Sequence, residues 1–279
     1  MTQSSKKGKD GKLISLLSDL TFRRGIVSIA IFLILWEVGF RFHEWFGIMV
    51  PFIGKIDAPT LVVARWSEVV LKPGYWESWY LSFGRVFFGF LVAQVVGIPF
   101  ALAMAVNKYF RGMFFPPFEI LRPIPPLAWV PASIIFWPTT ELSIMFVTFL
   151  GAFYTIVINV LGGARSIDIQ YLRAAQSMGA TQWDLFRKII LPGTLPSIFI
   201  GAAVGMGITW EVVLAAEMIS GDYGLGYMIM DSYMVNKYTT MVMAMLTLGF
   251  VGWITSAMVR FAGQLMMQWR EKSLGQGGV

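Results

Sequence analysis

The sequence predicts an all-α polytopic membrane protein, a helical bundle of about six transmembrane helices. Composition is the first reason. The 279 residues are 56% hydrophobic and only 14% charged, where a soluble domain of this size carries about 25% charge. Mean hydropathy is +0.66. The second reason is pattern. Several windows hold the roughly 20 mainly apolar residues that cross a bilayer as a helix, and they run unbroken for too long to be barrel strands.

The elements follow in order. Residues 1–24 form a polar, lysine-rich tail, too hydrophilic to contain the apolar stretch of a signal peptide. The first span is expected at 25–40. Arg41 and Glu44 follow it, with no small-residue cleavage site, so it should remain uncleaved. The rest of the segment to residue 82 is aromatic and punctuated by proline, which suits an excursion on the outer surface. A core at 83–265 carries further spans at 83–106, 127–137, 142–161, 195–218 and 240–261. The third is short and flanked by prolines. Residues 266–279 make a tail, and its last five are expected to be disordered.

Charge supports this count. With the N-terminus inside, Lys6, Lys7, Lys9, Lys12, Arg23, Arg24, Lys108, Arg111, Arg165, Arg173, Arg187, Lys188, Arg260, Arg270 and Lys272 all fall on the cytoplasmic side. Arg41, Lys55, Arg65, Lys72 and Lys237 fall outside. Such a bias is the positive-inside rule, and it accounts for the net charge of +6 without nucleic acid. Trp36, Trp45, Trp76 and Trp79 sit where an outer interface is expected, Trp183 and Trp269 at the inner one.

Chemistry is sparse. There is no cysteine and one histidine, His43, and no carboxylates cluster at metal-ligand spacing, so a membrane enzyme lacks its usual equipment. No G-x-x-x-x-G-K-[ST] loop is present; Gly8-Lys9-Asp10-Gly11-Lys12 lacks both its spacing and its hydroxyl. A stand-alone secondary transporter would want inverted repeats, and none is evident. Glu37 and Arg85, near the outer ends of their spans, could pair or snorkel to the interface. Gly201, Gly205 and Gly207 suit close helix packing, and Gly221, Gly224 and Gly226 suit a shaped outer loop.

One charged island interrupts the apolar runs. Asp168 can cap a helix beginning at Ile169, with Tyr171, Leu172, Ala175 and Met178 on one face. Gly179 should end it in the left-handed conformation. Thr181 and Asp184 have capping-box spacing for a second helix, with Trp183, Phe186, Ile189 and Ile190 on its apolar side and Pro192 as its stop. Two such amphipathic helices could lie in the lipid headgroups, but the small residues Ala174 and Ala175 would also let the corner sink into a cleft on another protein.

The island reads Arg173-Ala174-Ala175, three residues, Gly179, nine residues, Ile189, one residue, Leu191-Pro192. It resembles the coupling loop of ABC-importer permeases, with Arg173 where the family pattern has glutamate. Leu121-Arg122-Pro123-Ile124-Pro125-Pro126-Leu127-Ala128-Trp129-Val130-Pro131 resembles the entry to the third span in the taurine, sulfonate, nitrate and bicarbonate branch. Ala215-Ala216-Glu217-Met218 with Gly224-Leu225-Gly226-Tyr227 resembles the end of that branch's fifth span and its outer loop.

The resemblance implies the fold of a type I ABC-importer permease, importing a small anion across a bacterial cytoplasmic membrane by alternating access. The loop at 166–193 would couple it to ATPase, through Arg173, Ala174, Ala175, Ser177, Gly179, Ala180, Thr181 and Asp184. The expected partners are two ABC ATPase subunits that hold ATP and magnesium, a second permease copy, a binding protein outside, and the lipid bilayer. The chain itself should carry no cofactor, and both termini should be cytoplasmic. Thr209, Trp210 and Glu217 are expected along the translocation path, with Glu217 in a structural or gating hydrogen bond. Glu211 stands where the family usually has an uncharged residue. It would repel an anion unless paired or protonated.

Overall fold

The computed structural model describes residues 20–47, 56–220 and 223–267, all of them helix or turn with no strand. Residues 1–19, Lys55, Gly221 and the tail bearing Trp269, Arg270 and Lys272 lie outside the described residues, as do the side chains of His43 and Glu44. The helices are α1 (Leu20–Phe46), α2 (Pro59–Val69), α3 (Pro73–Val106), α4 (Lys108–Leu121), α5 (Val130–Phe136), α6 (Thr140–Arg165), α7 (Ile169–Ser177), α8 (Gln182–Leu185), α9 (Leu191–Ser220), α10 (Leu225–Met234) and α11 (Tyr238–Met266). They fall into two compact units, residues 1–71 with 236–243, and residues 72–235 with 244–279.

In the first unit Pro59 opens α2 with its φ already helical, and Ala58 at the N-cap has no side-chain oxygen to offer. Glu37 of α1 supplies one instead. Its carboxylate accepts from the Thr60 amide at 3.2 Å and the Thr60 hydroxyl at 2.9 Å, and pairs with Arg41 at 2.7 Å, one helical turn on. Glu37 therefore spends its charge inside its own unit rather than on Arg85. Asp57 accepts from the Thr239 hydroxyl, and Arg65 Nε donates to Thr240 Oγ1 at 3.0 Å.

In the second unit α3 and α6 run side by side in the same direction. A Cβ on Gly89 would lie 2.9 Å from the Thr148 side chain, and one on Gly97 would lie 3.4 Å from Phe153 and Val157. Helix α9 runs the opposite way against α6, with Gly201 beside Asn159 and Gly151 beside Val212. Helix α11 turns back along α9, where Gly252 faces Trp210 and Gly263 faces Phe199. Two apolar clusters fill the seams. One joins Val86, Val147, Trp210, Val213 and Val251 near the start of α3 and α6. The other joins Ala101, Met104, Ile156, Val160 and Phe118 nearer their ends.

Among the described residues, five helices are long and apolar enough to cross a membrane. The expected span at 127–137 is not among them. That segment is a 3-10 turn, Pro126–Trp129, running into α5. Its 11 apolar residues rise only about 16 Å, half of the roughly 30 Å hydrocarbon core. Yet α3 and α6 are parallel, so the chain must return between Val106 and Thr140. Helix α4 and the Pro126–Phe136 segment make that return together, broken at 122–125. The other spans run past their expected limits: α3 begins ten residues early, at Pro73 rather than 83.

Pro192 does not end its helix. A π turn at Phe186–Ile190 directs the Leu191 amide to the Phe186 carbonyl. This wider turn absorbs the ring and the missing N–H of the proline, and α8 and α9 form one helical rod, Gln182–Ser220.

The glycine seam gives a direct test. Gly89→Val should lower the unfolding free energy of the solubilised protein by about 1–3 kcal/mol through overpacking. Gly84→Val, five residues earlier with nothing within 4 Å of its Cβ position, should change it little. Equal loss at both sites in a thermal unfolding assay would refute this packing.

Candidate functional site

The most demanding group in the second unit is Arg85 of α3. Its side chain is 1% exposed, and a guanidinium removed from water needs anionic partners and filled donors. Nε donates to Glu141 Oε2 at 2.8 Å and Nη2 to the other Glu141 oxygen. Nη1 donates to Glu217 Oε1 at 2.8 Å and to the Tyr223 carbonyl at 2.6 Å. The fork thus meets one carboxylate edge-on and a second at its tip, an arrangement that lysine could not copy.

Glu217, at the end of α9, is fully buried. Besides Arg85, it accepts from the Ser82 hydroxyl at 2.7 Å and from the Gly226 amide at 2.8 Å. Ser82 in turn accepts from the Leu225 amide at 2.9 Å. Leu225 and Gly226 are the first residues of α10, whose N-cap Gly224 has no side chain. Helix N-termini leave such amides unpaired and carry partial positive charge, so Ser82 and Glu217 cap α10 from outside. The loop lies so close that a Cβ on Gly224 would strike the Glu217 carboxylate, and one on Gly226 the Leu214 carbonyl. Gly224 also holds φ +144°, which disfavours any other residue. One cluster therefore pins α3, α6, α9 and the entry to α10.

Of the residues expected along a path, Thr209 donates to the Gly205 carbonyl at 2.7 Å and is buried. Trp210 is also buried; its Nε1 donates to Thr255 at 2.9 Å and its ring lies beside Phe83. Both are packed within the single chain, as is Glu217, whereas Glu211 is exposed.

At the opposite end of α6 and α9 sits the two-helix corner. Asp168 accepts from the Gln170 amide at 2.8 Å. Gly179 takes φ +85°, the left-handed conformation expected from the sequence. The Gly179 amide donates to Gln176 O and the Ala180 amide to Ala175 O, so the last carbonyls of α7 are satisfied in a Schellman turn. Thr181 and Asp184 form a reciprocal capping box, and Lys188 pairs with Asp184 at 2.7 Å. No residue of α7 is buried. Arg173, Ala174, Ser177, Gly179 and Thr181 are exposed, while Ala175, Ala180 and Asp184 are half-buried.

Sequence reading placed Arg85 and Glu217 in spans but missed what joins them, Glu141 and Ser82. The available signal was one arginine and two glutamates near the same end of apolar runs. Glu217→Gln puts an amide among three donors, and should cost about 3–5 kcal/mol of stability. Glu141→Gln should cost less, because the Glu141 side chain is 46% exposed. Thermal unfolding that ranks the two in the reverse order would contradict this geometry.

Residues 95–271 match the model of the family described as binding-protein-dependent transport system inner membrane component. A protein of Methanocaldococcus jannaschii named as an ABC transporter permease is 36% identical over 268 residues, 95% of this chain and 97% of that one. The nitrate import permease NrtB of Leptolyngbya laminosa is 32% identical over 73% of this chain and 76% of its own length. The taurine permease TauC of Escherichia coli is 34% identical over 56% of this chain and 57% of its own. Among solved structures, the inward-facing MetNI methionine ABC transporter matches in fold with TM-score 0.53 and 23% identity, over 74% of this chain and 95% of that one. The chain belongs to the family of binding-protein-dependent transport system inner membrane components, the permeases of ABC importers.

Proposed function

We propose that this permease moves a small anion of the nitrate, bicarbonate or sulfonate and taurine class into the cytoplasm, driven by ATP that separate subunits hydrolyse. Two permease copies enclose the path, a pair of ATPase subunits grips the two corners at Arg173–Asp184, and a binding protein delivers cargo on the Arg85 side. The names of the nitrate and taurine relatives support the cargo class.

The single observation carrying the ATPase contact is the corner itself. Two helices are fully capped and rigid, yet α7 buries none of its residues, and Tyr171, Met178 and Trp183 stand exposed beside it. A locally satisfied backbone with an uncovered apolar surface is what a docking element requires. The rod from Gln182 to Ser220 has 39 residues, about 58 Å of helix, and links this corner to Glu217 through the π turn at Phe186–Ile190 and past Pro192 and Pro196. A push at the corner is therefore passed toward the Arg85 end along one continuous helix.

This orientation puts the corner in the cytoplasm. A cysteine at Ser177, in this cysteine-free chain, should resist an impermeant thiol reagent in sealed cells and react after lysis. Labelling before lysis would reverse the topology. Gly179→Val should leave the spans assembled but strain the turn by about 1–2 kcal/mol, reorienting Ala174 and Ala175. ATPase co-purification, or hydrolysis stimulated by loaded binding protein, should fall. Wild-type assembly, stimulation and uptake in Gly179→Val would exclude the corner as the coupling element.

A further inference from the structure

We infer that Glu211 faces the aqueous translocation path and selects cargo carrying an ammonium or other cationic group beside its anion, a zwitterion of the taurine kind rather than nitrate or bicarbonate; this rests on the importer reading above.

Glu211 lies nine residues before Ser220, the end of α9, about 14 Å along the axis and so well inside a helix long and apolar enough to cross a membrane. It is exposed, and no described residue gives it a hydrogen bond or ion pair. The treatment of other charges in these helices is different. Glu37 is paired with Arg41, and Arg85 with Glu141 and Glu217. A carboxylate at this depth facing acyl chains is disfavoured by roughly 2.5–3.5 kcal/mol, so its surroundings are water or protein.

Its neighbours define the surface. Ile200, Val204, Glu211 and Ile219 are exposed on α9, with Ala215 half-buried among them. Spacings of four and seven place them on one stripe of the helix. By contrast, Phe87, Phe88, Leu91 and Val95, exposed in the middle of α3, are all apolar, as lipid requires. Only the α9 stripe carries a free charge at mid-depth among the described residues. In a path for small anions, one unpaired carboxylate repels nitrate and bicarbonate but attracts an ammonium. Cargo with both signs meets Glu211 through its cationic end.

The whole transporter, permease with co-expressed ATPase subunits in proteoliposomes, tests this through Ala215→Cys. Residue 215 is one helical turn from Glu211, and the chain has no other cysteine. The probes are 2-aminoethyl and 2-sulfonatoethyl methanethiosulfonate, which carry the two ends of a taurine-like molecule. At i,i+4 separation in water, one charge should favour the ammonium reagent over the sulfonate by about tenfold. Adding Glu211→Gln should remove that preference.

If Glu211→Gln does not assemble, the ratio at Ala215→Cys is compared with that at Ile200→Cys, about 16 Å along the same stripe, where it should be much smaller. No reaction of Ala215→Cys with either reagent, or a ratio indifferent to Glu211, overturns the inference. ATP hydrolysis by the same preparations reports separately on the importer reading. Normal hydrolysis with an indifferent ratio would overturn the role of Glu211 alone.

Discussion

A buried guanidinium is the constraint around which the core is arranged. Arg85 has almost no contact with solvent, and the penalty for leaving such a charge unpaired is several kcal/mol. Glu141 and Glu217 must therefore stay within hydrogen-bond reach, and they come from different helices. Two carboxylates against one guanidinium leave an excess negative charge. The first amides of α10 offset it, because they reach Ser82 and Glu217 directly. Each group settles another's deficit, so the position of four segments follows from one ion cluster.

Glycine seams and the helical rod extend that order along the bundle. Backbones approach closely at Gly89, Gly151 and Gly201, which compensates for the weak apolar drive between helices in lipid. The π turn at Phe186–Ile190 lets the chain pass Pro192 without a break. The rod then carries the corner, the buried Trp210, the exposed Glu211 and the clustered Glu217 on one body.

The sequence made local chemistry legible. Hydropathy located the long helices. Asp168, Gly179, Thr181 and Asp184 announced the corner, because caps and left-handed turns act within a few residues. What it hid was long-range or geometric. Glu141 lies 56 residues from Arg85 in the chain, and nothing near either residue names the other. Arg85 and Glu37 both looked available for pairing until α2 claimed Glu37 as its cap. The third expected span already read as short, but hydropathy could not show that α4 lies beside it before α6 begins. Pro192 read as a stop because a π turn has no clear sequence signal.

Arg85 and Glu217 act as one unit. A double-mutant cycle of Arg85→Leu and Glu217→Leu, read by unfolding of the solubilised protein, tests it directly. The double variant should lose less than the sum of the singles, with a coupling of about 2 kcal/mol, because removing either partner strands the other in the core. Additive losses would mean that the two charges do not sustain each other, and would contradict the account.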